Sequence, residues 1–124
     1  MNISKEARAA IADGVVKLER EFYGRGPSSV RVSVGTGDLS VVTVLSVDSL
    51  TAMDRTLVER EEWTAVAQHH RALHRVTMND FCEMVAGIVG RGPSAYLAQV
   101  DPTTGYAVRV FVFDIESEQD ETGD

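Results

Sequence analysis

Ile3, Ala7, Ile11, Val15, Leu18 and Phe22 recur at three- and four-residue intervals, which lines them along one face of an amphipathic helix. Ser4 suits the N-cap, and Glu6 sits in the first turn, where a negative charge meets the positive end of the helix dipole. Gly24 is placed to end the helix in the left-handed conformation, and Pro27 forces Gly26 out of the helical region, so the chain leaves extended. Val30, Val32 and Val34 then alternate with Ser29, Arg31 and Ser33, the period of a strand with one wet face. The Gly35-Thr36-Gly37-Asp38 turn leads to a second strand, Leu39 to Val47.

The pattern then returns. A helix is expected to end at Gly90, a strand to run from Ala95 to Val100, a turn to occupy Asp101-Pro102-Thr103-Thr104-Gly105, and a strand to run from Tyr106 to Phe113. Gly24-Arg25-Gly26-Pro27-Ser28 is repeated as Gly90-Arg91-Gly92-Pro93-Ser94, and a gap-free overlay of 24–48 on 90–114 gives nine identities in twenty-five positions. An internal repeat of this kind predicts two copies of one helix-loop-hairpin unit. The second strand of each copy is apolar on both faces, with Val42 and Val44 opposed to Val41, Leu45 and Val47, and Val108, Val110 and Val112 opposed to Phe111 and Phe113. Strands of that kind belong at a sheet centre and half-polar ones at its edges. The reading is therefore an α+β fold with a four-stranded antiparallel sheet, ordered first, second, fourth, third, and helices packed against it.

Between the hairpins, Met53, Leu57, Trp63, Val66, Ala67, His70, Leu73, Phe81, Val85 and Ile88 keep helical spacing. Ser49 or Thr51 can cap this region, and Thr51-Ala52-Met53-Asp54 has the spacing of a capping box. Thr77-Met78-Asn79-Asp80 offers a restart near Met78, and periodicity does not separate one long helix from two shorter ones.

Charge changes this picture little. Six acidic residues within 114–124 carry nearly all of the net −7, and the remainder of the chain comes to −1. The domain is therefore taken as 1–114, with 115–124 an acidic tail expected to be disordered. A nearly neutral body gives no reason to expect nucleic-acid binding. No run approaches the length of a membrane span, and Met1 to Glu6 lacks the apolar core of a secretory signal. Cys82 is the single cysteine, which excludes an internal disulfide and points to the cytoplasm.

Candidate chemistry is sparse. The repeated arginines, Arg25 and Arg91, follow helix C-termini, where a cation meets exposed carbonyls. They are expected as structural caps first, and as a small-anion site if they share a cleft. His70 and His74 stand four apart on one helix face, a metal-binding spacing, but Arg71 occupies the place of the metalloprotease glutamate. His69 is expected to point elsewhere. Cys82 reads as a small core residue. No catalytic set is complete, so neither an enzyme nor a cofactor is expected.

Phe22-Tyr23-Gly24-Arg25-Gly26-Pro27-Ser28, the strand 39–47, the segment Leu50 to Val58, and the final hairpin with Asp101-Pro102 and Ala107 to Phe113 together resemble the MpsC-like family of small bacterial proteins. The resemblance spans about residues 8–114. It implies a component of a sodium-translocating, membrane-potential-generating system linked to bicarbonate supply, with no catalytic residues to carry over. The second Gly-Arg-Gly-Pro-Ser departs from the family's usual turn. The expected function is that of a non-enzymatic binding or accessory protein acting with a membrane transport or energy-coupling partner. The alternative is a soluble small-anion sensor binding near Arg25 and Arg91. Apolar residues on both faces of the central strands also predict a homodimer through the sheet, with Thr43 and Arg109 interrupting the outer face.

Overall fold

A computed structural model describes residues 2–114, so the acidic segment 115–124 lies outside the described residues. The elements run α1 (Lys5–Tyr23), β1 (Ser29–Gly35), β2 (Ser40–Val47), α2 (Ala52–Glu59), α3 (Trp63–Val89), β3 (Ala95–Val100) and β4 (Ala107–Phe113). The four strands form one antiparallel sheet ordered β1-β2-β4-β3, the arrangement expected from the polarity of the strands.

Local chemistry sets the helix ends. Ser4 Oγ accepts the Ala7 N–H at 3.0 Å, and Gly24 and Gly90 close α1 and α3 at φ of 83° and 93°. Thr51 and Asp54 form the reciprocal capping box that opens α2. The restart that Thr77-Met78-Asn79-Asp80 could offer does not occur, and the region left open by periodicity divides before Trp63 instead. Thr77 satisfies its hydroxyl on the Leu73 carbonyl at 2.7 Å, inside the helix, and α3 runs unbroken for 27 residues.

All three helices lie on one side of the sheet. Ile11 and Val15 of α1 and Phe81 and Val85 of α3 pack on Val42, Val44, Phe111 and Phe113, and every one of these is fully enclosed. Gly14 permits the approach of α1 to α3, since a Cβ there would lie 2.5 Å from Met84 Sδ. A smaller cluster of Leu50, Val66, Val100 and Ala107 seats α2 through Leu57 and Val58. Met53 and Trp63 share the helical spacing but are exposed.

The opposite face of the sheet carries Val41, Thr43, Leu45, Val47, Leu97, Val108, Val110 and Val112, none of which belongs to either core cluster. Arg109 is not among them. It shares the parity of Phe111 and Phe113 and is buried beneath the helices, so the expected interruption of the outer face falls to Thr43 alone.

The gap-free overlay of the two hairpins holds only as far as their turns. Val34 pairs with Val42 in the first hairpin, but Val100 pairs with Ala107 in the second, so the ladders are out of step by one residue. Val42 is enclosed, whereas Val108, its match in the overlay, faces the other way.

Candidate functional site

The space between helices and sheet contains an unusual amount of buried polarity. Along α1, Glu19 follows Ile11 and Val15 and precedes Tyr23 at four-residue intervals, so it occupies the apolar stripe itself. Opposite it, the inner face of β4 presents Arg109. Both side chains are completely enclosed. Arg109 donates from Nη1 to Glu19 Oε2 at 2.5 Å, from Nη2 to the Tyr23 hydroxyl at 2.8 Å and from Nε to the Tyr96 hydroxyl at 3.2 Å. Its guanidinium carbon lies 4.0 Å from the centre of the Phe81 ring. Ser49 Oγ donates to the second oxygen of Glu19 at 2.8 Å. Burial pushes the Tyr23 hydroxyl up to about 12 even against the pull of Arg109, so it stays protonated while accepting from the guanidinium. Both charges are answered, which makes this half of the network a closed structural unit.

The other half centres on Asp54. As the third residue of α2, it accepts the Thr51 N–H at 2.9 Å through Oδ2. The same oxygen meets His70 Nε2 at 2.6 Å, while Oδ1 meets His69 Nδ1 at 2.8 Å. Burial alone would raise this carboxyl, but the Thr51 N–H and the two imidazoles outweigh it and hold it below the ordinary carboxylate range. The ring of His70 stands edge-on to Tyr23 at 5.6 Å and to His74 at 5.8 Å, joining the Asp54 group to the Arg109 group. Burial first, then the nearby positive charge of Arg109, pushes His74 down to about 4, so its imidazole is neutral at physiological pH. His70 Nδ1 and His74 Nε2 are enclosed without a hydrogen-bond partner. Both histidines line a cavity of about 240 Å³ together with Ala67, Arg71, Ala98, Gln99 and Val100.

The residues singled out from the sequence fall in four places. His70 and His74 do lie together, within this network. His69 does not point elsewhere: it reaches Asp54 beside His70, because α2 folds back against α3. Arg25 binds Asp48 at 3.0 Å and the Leu50 carbonyl at 3.1 Å, pinning the loop after α1 to the exit of β2. Arg91 donates to the Asp114 carbonyl at 3.2 Å and lies over the Phe113 ring. In the antiparallel β2–β4 ladder, the exit of β2 and the exit of β4 are at opposite ends, about 20 Å of strand apart. The two arginines therefore do not share a cleft. Cys82 packs against the core, and burial pushes its thiol up, away from the reactive thiolate.

Glu19, Asp54 and Arg109 were not singled out for chemistry. Glu19 had a signal in its four-residue spacing from Val15 and Tyr23, and Arg109 had one in its parity with Phe111. Asp54 was recognised as a cap, but nothing local announces that its carboxylate turns inward to two histidines fifteen and sixteen positions away.

A family model described as Na+-translocating membrane potential-generating system (MpsC) matches residues 4–115. No curated protein and no solved structure matches the chain.

Proposed function

Because the chain belongs to the MpsC family, we propose that it is a non-enzymatic accessory component of a Na+-translocating, membrane-potential-generating system, acting at the cytoplasmic side by contact with a membrane partner. No described helix is long and apolar enough to cross a membrane, so the reading places the contact on a folded surface. The family match over residues 4–115 carries the reading, and the outer face of the sheet adds a surface for self-association. Val41, Leu45, Val47, Val108, Val110 and Val112 form an apolar field interrupted by Thr43, and no described helix covers it. These side chains are half-buried within the sheet, and contiguous apolar surface left uncovered on one sheet face marks interfaces. We assign this face to a second copy of the chain, which leaves the helical layer for the partner. The link to bicarbonate supply belongs to the same proposal.

The buried charges fit this role better than catalysis. The Glu19–Arg109 pair has its hydrogen bonds satisfied within the fold, and Cys82 is not activated. The alternative of a small-anion sensor at Arg25 and Arg91 has weaker support, since Arg25 is engaged by Asp48 and the two arginines lie at opposite sheet ends.

The test is sodium-dependent membrane potential, followed with a voltage-sensitive dye in cells lacking the chain. Expression of the wild type is expected to restore the potential, and a folded Leu45→Arg/Val110→Arg variant is expected not to. Equal potentials with and without the wild-type chain would remove the proposal.

A further inference from the structure

The buried network stops at two unanswered atoms, His70 Nδ1 and His74 Nε2. In each ring the other nitrogen is held. Asp54 can only accept, so it fixes a proton on His70 Nε2 and leaves the lone pair on Nδ1. The backbone of Ala98 favours the protonated form of His74, and we assign the ring proton to the nitrogen other than the enclosed Nε2. Its free nitrogen, Nε2, then carries the lone pair. A buried acceptor left without a donor costs about 1–3 kcal/mol, and here two occur within about one helical turn.

We propose that His70 and His74 hold a divalent transition-metal cation of the zinc class, His70 through Nδ1 and His74 through Nε2, with water completing the coordination from the adjoining cavity. Metal-binding histidines characteristically donate their second ring N–H to a carboxylate or a backbone carbonyl. His70 does the first, to Asp54, and the backbone of Ala98 favours a proton on His74. The four-residue spacing sets both on one side of α3. The ring centres are 5.8 Å apart. An ion at about 2.1 Å from each nitrogen lies about 3.2 Å from each ring centre, so two rings 5.8 Å apart are within span of one ion. The cavity of about 240 Å³ has room for several waters beside it. Neutral imidazoles select borderline metals over calcium or magnesium, which require oxygen ligands. Two cations oppose the ion: Arg71, in the wall of the same cavity, and Arg109, which Glu19 already pairs.

Asp54, His69 and His70 also bring three ligand atoms within 4.8 Å of one another. That group is closed differently. Its nitrogen–oxygen separations of 2.6 and 2.8 Å are those of hydrogen bonds, whereas two ligands of a tetrahedral zinc stand about 3.3 Å apart. The lone pairs that remain are on the other side of His70.

Full-length protein, stripped with chelator, would be titrated with Zn²⁺ by calorimetry and with Co²⁺ by visible absorption. The expected result is one ion per chain, with affinity lowered at least about tenfold in His74→Gln and retained in His69→Gln. Circular dichroism and melting would establish that each variant is folded. Imidazole ¹⁵N shifts of the wild type supply a readout without mutation: on zinc addition His70 Nδ1 and His74 Nε2 are expected to move together. No binding by the wild type, unchanged affinity in a folded His74→Gln, or shifts centred on His69 instead would each overturn the assignment.

Discussion

Arg109 surrenders the hydration of a guanidinium, and only the geometry of Glu19, Tyr23, Tyr96 and Phe81 makes its burial tolerable. Removing one partner of such a pair strands the other, so Arg109→Met or Glu19→Leu alone is expected to destabilise by about 3–5 kcal/mol. The double variant should lose much less than the sum, and urea denaturation of the four proteins in the cycle measures the difference. His74 gives a pH prediction. Its folded pKa of about 4 lies below the ordinary 6.5, so the unfolded chain binds more protons between these values. Stability is therefore expected to fall as pH drops from about 6.5 toward 4, by at most about 3 kcal/mol from this residue. Chemical denaturation across that window should show a shallower slope in His74→Gln; an identical slope would contradict the assignment. At this scale the sequence was only partly legible. A charge on a valine strand reads as solvent-facing by composition, while the parity of Arg109 with Phe111 and Phe113 says the reverse, and parity was the better guide.

At the level of elements, the capping residues were readable because they act within a few positions: Ser4, Gly24, Thr51 and Gly90 all behave as their local chemistry dictates. Gly24 separates backbone strain from crowding, since a Cβ there would meet nothing within 4 Å, yet φ is +83°. Gly24→Val is accordingly expected to cost about 1 kcal/mol or more, and Gly24→Asn distinctly less, because asparagine tolerates the left-handed region. Equal stability of the two by thermal melting would show that the penalty is not conformational. Thr77 left one helix and two undivided in the sequence because a hydroxyl that can cap a helix can also be satisfied inside one. Spacing alone could not place α2 against α3 either, since that packing depends on Asp54 reaching residues far along the chain.

For the whole molecule, strand order followed from polarity alone, with doubly apolar strands inside and half-polar strands outside. The central strands need cover on both faces, and the described helices supply one. The homodimer proposal predicts a species near twice the 13.5 kDa chain mass in sedimentation equilibrium at micromolar concentration, shifting to the monomer in Leu45→Arg/Val110→Arg. A monomeric wild type would refute it. The one-residue offset between the hairpins bears on how such a sheet finds its alignment. With valine on both faces of β2 and along β4, a slip by one position exchanges one apolar surface for another and meets little resistance from the aliphatic side chains themselves. Arg109 breaks that degeneracy: displaced by one residue, it would swing to the outside and abandon the Glu19 carboxylate in a dry interior. The ion pair thus works as an indexing pin, letting a strand with almost no positional information of its own stop at a single setting.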